Sequence, residues 1–314
     1  MKDGLLAIDF GGTRTRAAWF DSDIEQRTRT ETPTRVDEGQ QAVIARIIDT
    51  ARAVVPDGAR VRAIGISAPG PLDARRGVIQ HARTLPGWQE VPLANIVSQA
   101  FDGVPVYMDN DANLAALAEY DRGSAAGSDP LIYLTISTGI GGGAVIGGEL
   151  FTGWRGLAIE PGHQRLTLPD GSIRRLEELA SGTALGQRAT SLLATDTTTP
   201  SVLRDLTHVD GKAVGNAARA GDALALRIVT EAGQWLGLGL VNLLHLFNPQ
   251  AIVLGGSVAQ LGDLLLDPAR RVITEHILDP GFDAPGMVQI TTLGEDVCLA
   301  GAALYAQRHL PAGL

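Results

Sequence analysis

The sequence predicts an α/β protein with a mostly parallel sheet, because short apolar runs alternate along the chain with longer stretches of helical periodicity. A second observation concerns internal symmetry. AIDFGGTRTRAAWF near residue 10 and TISTGIGGGAVIG near residue 140 share one scheme, an apolar strand, a Gly-rich turn and a second apolar strand. Two such hairpins, about 130 residues apart, predict a duplicated domain with one hairpin in each half.

The elements follow from the spacing of apolar residues and from the glycines and prolines that interrupt it. In the first half, strands are predicted at residues 5–10, 17–20, 61–67 and 103–108, and helices at residues 40–55 and 112–120. In the second half, strands are predicted at residues 131–136, 144–146, 251–254 and 288–292, and helices at residues 183–194, 222–247 and 299–308.

The bulk composition excludes several functional classes. The formal net charge of −9 argues against nucleic acid or an anionic membrane as a partner, because both require a basic surface. The single cysteine, Cys298, excludes an internal disulfide and suits a reducing compartment. The sequence shows no secretory signal and no apolar run long enough to span a bilayer. We therefore expect a cytoplasmic protein.

The two Gly-rich turns are candidates for phosphate binding. Successive backbone N–H groups in a tight turn converge on an anion, and glycine lets phosphate oxygens approach closely. Neither turn matches the Walker or the dinucleotide fingerprint. Together they favour two turns that hold one nucleoside triphosphate, although two unrelated tight turns remain the alternative. The residues concerned are Gly11, Gly12, Thr13, Thr138, Gly139, Gly141 and Gly142.

Asp9 ends the first predicted strand, directly before the first Gly-rich turn. A carboxylate at this point would repel phosphate unless Mg²⁺ lay between them. Because Mg²⁺ gives up its water reluctantly, we expect contact through metal-bound water. The alternative is a turn aspartate that bonds its own backbone.

The segment Asp109-Asn110-Asp111 ends a predicted strand and begins a helix. Phosphoryl transfer needs a carboxylate that accepts the proton of the attacking hydroxyl group. The carboxyl end of a strand in an α/β sheet is a usual ligand-binding position. Asp111 therefore suits a catalytic base, but Asp111 or Asn110 would serve equally well as the N-cap of the helix.

Glu160, His163 and Glu177 form a third polar group. Carboxylates and an imidazole suit a polyol, since they accept or donate hydrogen bonds to vicinal hydroxyl groups.

In this order, DFGGTRTR, APGPLD with TLPGW, DNDANLAALAE, STGIGGG, EPGH, LEELASG and IVLGGSV resemble the motifs of the ROK family. That family contains bacterial sugar kinases and sugar-responsive repressors of the actin-like ATPase superfamily, and the resemblance covers residues 6–306. It implies two RNase H-like lobes around a central cleft, ATP and Mg²⁺ as cofactors, a hexose substrate and a homodimer. The lobes are predicted at residues 1–111 with about 299–314, and at residues 112–298.

The resemblance also implies roles for individual residues. Asp111 is the catalytic base and Asp9 the Mg²⁺ residue. Nucleotide contacts are implied for both Gly-rich turns and for Gly255, Gly256 and Ser257. Sugar contacts are implied for Gly70, Asn110, Glu160, His163 and Glu177.

The sequence departs from the family pattern at several positions. Arg14 stands where a lysine is common, Ile159 where glycine is usual, and Thr84 where an asparagine is frequent. Between His163 and Glu177, many relatives have a cysteine-rich CxCGxxGC stretch that binds structural zinc. This chain has QRLTLPDGSIRRL there, without cysteine, so we expect no structural zinc and a tight turn at Pro169-Asp170-Gly171.

These observations favour an ATP-dependent hexose kinase, with glucose as the commonest acceptor in the family. N-acetylmannosamine, N-acetylglucosamine, allose or fructose are alternative acceptors, and polyphosphate is an alternative donor. A sugar-sensing repressor is disfavoured, because such repressors carry a winged-helix domain ahead of the first phosphate motif, which here begins within ten residues. A non-catalytic sugar-binding module is disfavoured by the presence of Asp9, Asp111 and both turns.

The absence of structural zinc is testable with a chelator. We expect that chelation followed by restoration of Mg²⁺ leaves thermal stability and activity unchanged, because a closed zinc site needs four N or S ligands. Elemental analysis checks the same expectation. Stoichiometric zinc whose removal unfolds the protein would contradict it.

Overall fold

The computed structural model describes residues 3–82, 84–283 and 286–310. The chain divides into two compact units. The first contains Met1–Asp121, Thr152–Ala158 and Leu293–Leu314, and the second contains Arg122–Phe151 and Ile159–Thr292. The boundaries of the two lobes predicted from the sequence stay a prediction.

Within the described residues, the strands are β1 (Asp3–Phe10), β2 (Arg14–Phe20), β3 (Gln26–Pro33), β4 (Arg60–Ala68), β5 (Leu72–Asp73), β6 (Val78–Ile79), β7 (Val106–Asn110), β8 (Leu131–Ile136), β9 (Ile140–Ile146), β10 (Glu149–Leu150), β11 (Arg165–Thr167), β12 (Ile173–Arg175), β13 (Ala251–Gly255) and β14 (Val288–Ile290). The α-helices are α1 (Gln40–Arg52), α2 (Leu93–Ala100), α3 (Asp111–Arg122), α4 (Glu177–Ala180), α5 (Gly182–Thr195), α6 (Gly211–Arg219), α7 (Ala223–Phe247), α8 (Asp263–His276) and α9 (Val297–His309).

Each unit contains one five-stranded mixed sheet. The strand order is β3-β2-β1-β4-β7 in the first unit and β10-β9-β8-β13-β14 in the second. In both sheets the first three strands are antiparallel neighbours and the last two pairings are parallel. The α/β class and the duplication are therefore confirmed. The prediction of a mostly parallel sheet was wrong, because each Gly-rich hairpin folds back against its own strand.

The predicted elements all form, with boundaries shifted by a few residues. Strand β3 was not predicted because its sequence QRTRTETP lacks apolar residues, and it lies largely exposed at the edge of its sheet. Helices α2 and α6 were also missed. Helix α7 begins where the Asp222 side chain accepts a hydrogen bond from Ala225 N, and it ends at Asn248 with φ 41°.

Helix α9 packs tightly on the first sheet. A Cβ on Gly65 of β4 would lie 1.9 Å from Ala302 O, so only glycine fits there. A Cβ on Gly301 would lie equally close, 1.9 Å, to Leu114 O of α3. The last helix is thus fixed to β4 and α3 by backbone-to-backbone contact.

Across the described part of the chain, no helix is both long and apolar enough to cross a membrane.

Candidate active site

Three parallel strands of the first sheet bring polar side chains to one edge. Asp9 of β1 lies opposite Ser67 of β4, and Ser67 lies opposite Asp109 of β7. Ser67 Oγ donates a hydrogen bond to Asp9 Oδ1 over 2.8 Å. Arg16 Nε lies 3.1 Å from Asp9 Oδ2, an ion pair without the alignment of a hydrogen bond. Burial raises the pKa of Asp9, while Arg16 and Ser67 oppose that rise.

The junction of β7 and α3 separates two roles that the sequence left open. Asn113 N donates to Asn110 Oδ1 over 2.7 Å, which is an N-cap bond, so the side chain of Asn110 caps the helix. Asp111 is exposed at the first helical position, and its Oδ1 accepts a hydrogen bond of 2.8 Å from Ala112 N.

Asp109 stabilises this junction from inside the protein. Its Oδ1 accepts hydrogen bonds from Asn110 N at 2.7 Å and from Asn113 Nδ2 at 2.9 Å. Burial raises the pKa of Asp109, and these two hydrogen bonds oppose the rise. Asp109 therefore orients the capping residue beside Asp111.

Helix α9 adds a thiol to the same edge. Cys298 Sγ lies 3.6 Å from Asp111 O. Burial raises the pKa of Cys298 well above its usual range, and Asp9 and Asp111 raise it further. A neutral thiol thus lies near enough to Asp9 and Asp111 for both carboxylates to raise its pKa.

The first Gly-rich turn is a tight connection between β1 and β2. Gly11 N donates to Arg14 O over 2.9 Å, and Thr34 Oγ1 donates to Gly11 O over 2.7 Å. A Cβ on Gly12 would lie 3.0 Å from Thr84 O, so Thr84 lies directly against this turn. Arg14 is exposed and lies 3.8 Å from Glu31 and 3.7 Å from Glu295.

The second Gly-rich turn is bonded to the start of α5. Gly182 N donates to Ser137 O over 2.7 Å, and Thr183 Oγ1 donates to Thr138 O over 2.8 Å. Thr138 is exposed, so its hydroxyl group is accessible beside the amino end of that helix. On β9, Gly141 lies opposite Thr135, and a Cβ on Gly142 would lie 2.6 Å from Pro161.

Glu177 contacts the second turn directly. Ile140 N donates to Glu177 Oε2 over 3.0 Å, and a Cβ on Gly139 would lie 2.5 Å from that oxygen. Arg175 lies 3.8 Å from Glu177 Oε1. The carboxylate thus orders the predicted phosphate turn, a role that the sequence did not indicate.

The Gly255-Gly256-Ser257 turn packs closely against the neighbouring strand, β8. A Cβ on Gly255 would lie 2.1 Å from the hydroxyl oxygen of Tyr133. Gly256 has φ 88°, and a Cβ there would lie 2.4 Å from Ile136 O. Only glycine fits at either position, and Ser257 after them is exposed.

Glu160 directly precedes a short 3₁₀ helix, Pro161–His163, of which His163 is the last residue, and both side chains are exposed. Partial burial of its carboxyl group raises the pKa of Glu160, His163 lowers it, and Glu177 raises it further. His163 and Glu177 are therefore near enough to Glu160 to affect its pKa. Ile159 has φ 61°, a conformation that favours glycine and is costly for a β-branched residue.

The segment between His163 and Glu177 forms the hairpin of β11 and β12. Gly171 N donates to Leu168 O over 2.9 Å, and Asp170 Oδ1 accepts from Ser172 N over 2.9 Å. The predicted turn is confirmed. Among residues 3–82, 84–283 and 286–310, no group of three or more His, Cys, Asp or Glu could hold a metal, and the absence of zinc stays a prediction.

The structure thus brings the predicted residues together in two groups, one in each unit. Asp9, Gly11, Gly12, Thr13, Gly70, Asn110 and Asp111 belong to the first sheet's carboxyl edge, and the remaining predicted residues belong to the second unit. Sequence reasoning missed Arg16, Ser67, Gly182 and Cys298. Only Arg16 had a local signal, because a tight turn at Gly11 places it opposite Asp9.

Comparison with known proteins agrees with these motifs. A sequence model of the ROK family matches residues 5–309. The glucokinase of Streptomyces coelicolor is 34% identical over 325 residues, covering 98% of each chain. The crystal structure of a ROK hexokinase from Thermus thermophilus is 36% identical with a TM-score of 0.79, covering 97% of this chain and 98% of that one.

A further solved structure contains ligands. The ROK family glucokinase from Streptomyces griseus, in complex with glucose and AMPPNP, is 33% identical with a TM-score of 0.81. The match covers 97% of this chain and 99% of that one.

Replacement of Asp111 separates catalysis from helix capping. We expect Asp111→Asn to lower kcat by about 10²–10⁴-fold, the range for general-base catalysis. Thermal stability should change little, because Asn110 supplies the cap. Steady-state kinetics and thermal melting check both expectations, with the exposed Asp57→Asn as control. A near-normal kcat would contradict the role of Asp111 as base.

The raised pKa of Glu160 predicts a pH dependence of sugar binding. If Glu160 contacts the sugar, its ionised carboxylate accepts hydrogen bonds from sugar hydroxyl groups. Sugar affinity is then highest above the pKa of Glu160 and falls as the pH drops through it. KM for the sugar should therefore begin to rise at a higher pH than an ordinary glutamate, with pKa about 4.3, would give. Glu160→Gln should remove this acidic rise in KM. An unchanged KM profile in Glu160→Gln would contradict the assignment.

Proposed function

The chain belongs to the ROK family, and on that basis we propose that it is a sugar kinase that transfers the γ-phosphoryl group of ATP to a hexose hydroxyl group. Glucose, giving glucose 6-phosphate, is the proposed acceptor. Its support is that relatives similar over nearly their whole length are glucokinases, one of them solved with glucose and AMPPNP. N-acetylmannosamine, N-acetylglucosamine, allose and fructose are the alternative acceptors.

In the proposed reaction, the sugar hydroxyl oxygen attacks the γ-phosphorus atom while the bond to the bridging oxygen of ADP breaks. Asp111 accepts the proton of that hydroxyl group. The observation that carries this assignment is the exposure of Asp111 beside a helix whose N-cap is another residue, Asn110. An exposed carboxylate at the carboxyl end of a parallel strand suits a general base.

Asp9 is suited to the second coordination shell of Mg²⁺. Carboxylate oxygen is the hard donor that Mg²⁺ prefers, but Ser67 and Arg16 already contact both oxygens of Asp9. Contact through metal-bound water satisfies both conditions. When bound, Mg²⁺ would neutralise charge on the β- and γ-phosphates.

The remaining predicted residues bind the two substrates in this proposal. Both Gly-rich turns hold the phosphates through backbone N–H groups, and Gly255, Gly256 and Ser257 contact the adenosine. Gly70, Asn110, Glu160, His163 and Glu177 contact the sugar. Asn110 does so through its amide nitrogen, since its Oδ1 accepts the cap bond.

A cytoplasmic location and a homodimer belong to the same proposal, and light scattering after size-exclusion chromatography tests the dimer.

A panel of sugars and donors tests the function. We expect coupled ADP-release assays with Mg²⁺ and ATP to give the highest kcat/KM for glucose, with the other four sugars compared at equal concentration. Asp111→Asn protein is the control for contaminating kinases. A higher kcat/KM for another acceptor would contradict the glucose assignment, and no sugar-dependent ADP release would contradict the kinase. Polyphosphate in place of ATP tests the donor, with glucose 6-phosphate as the readout.

A further inference from the structure

A cavity lies in the first unit, at the opposite end of the parallel strands from Asp9 and Asp111. Its volume is about 650 Å³, within the range of small-molecule sites. It is lined by the first residues of β4 and by the loop that leads into β7. Because a strand rises about 3.3 Å per residue, Arg60 lies roughly 25 Å from the far end of β4. The cavity is therefore separate from the candidate active site.

Three arginines line this cavity, and two of them have unused guanidinium groups. Arg52 Nη2 donates to Ala100 O over 2.8 Å. By contrast, in the described ranges neither Arg60 nor Arg62 forms a side-chain hydrogen bond or ion pair. Asp102 is the only acidic residue in the described lining. The cavity is thus locally positive in a chain whose net charge is −9.

The backbone of β4 is irregular at this point. Gly4 of β1 lies opposite Val61, while Leu5 lies opposite Ala63, so Arg62 is the extra residue of a β-bulge. Bulges re-aim side chains at functional sites. Arg60 and Arg62 both line the cavity, and each guanidinium group carries a planar fork of N–H donors that matches phosphate oxygens.

Apart from the three arginines and Asp102, the residues that line the cavity are apolar. Val55, Val61, Val104 and Phe101 line it, and the guanidinium group of Arg52 lies 5.7 Å from the centre of the Phe101 ring. An inorganic anion would leave this surface unfilled. A ligand with a ring or carbon chain would bury it and gain hydrophobic free energy.

We propose that this cavity binds a small organic phosphate ester. Arg60 and Arg62 hold the phosphate group, and the organic part lies on Val61, Val104 and Phe101. Binding here is independent of the proposed kinase reaction, because none of these residues belongs to the candidate active site.

Isothermal titration calorimetry of the full-length chain with phenyl phosphate and with inorganic phosphate tests the proposal. We expect saturable one-to-one binding of phenyl phosphate, and weaker binding of inorganic phosphate because it leaves the apolar surface bare. The double variant R60Q/R62Q should raise the Kd of phenyl phosphate by about tenfold or more, since charge-assisted bonds are lost. R60K/R62K should give an intermediate Kd, because lysine keeps the charge without the fork.

The matched control is Arg75→Gln, which removes an exposed arginine of the same unit that also has no ion pair within the described part of the chain. It should leave the Kd unchanged. Thermal melting verifies that each variant is folded, and R60K/R62K preserves the test if the glutamine variant is not. An absence of saturable binding would overturn the proposal. So would an unchanged Kd in R60Q/R62Q, or an equal loss in Arg75→Gln.

Discussion

The first unit depends on the contact between its last helix and its sheet. Helix α9 is far from β4 and α3 in sequence, yet its backbone contacts β4 where Gly65 faces Ala302 and contacts α3 where Gly301 faces Leu114. Backbone atoms cannot change rotamer, so these contacts allow little adjustment of the helix. These backbone contacts place the start of α9, including Cys298, near the carboxylates of Asp9 and Asp111.

At this edge of the sheet, burial and neighbouring polar groups have opposite effects on the pKa of the carboxylates. Asp9 and Asp109 are both buried, and burial alone would favour their neutral forms. Neighbouring groups oppose this effect of burial on the pKa. They are Ser67 and Arg16 for Asp9, and amide donors for Asp109. Asp111 differs because it is exposed. Asp111 is therefore an accessible carboxyl group beside two buried ones.

In the second unit, Glu177 combines an observed structural role with a proposed sugar contact. Glu177 bonds the backbone of a predicted phosphate turn and also affects the pKa of Glu160. A change at Glu177 would therefore disturb the turn as well as the proposed sugar contacts. The β11–β12 hairpin that precedes it is closed by an ordinary turn, with Asp170 bonded to Ser172. Local backbone preference is sufficient to form this short connection.

The sequence was sufficient to predict elements with strong periodicity, such as α7 and β8, and the duplicated Gly-rich hairpins, because these depend on neighbouring residues. It also indicated Asp9 and Asp111 through their positions at strand ends. Tertiary structure decided what depends on distant segments. It made both sheets mixed, assigned the cap to Asn110 rather than Asp111, and brought Ser67 and Cys298 to Asp9. No local pattern encodes such contacts, since they arise only when separate strands and the last helix pack together.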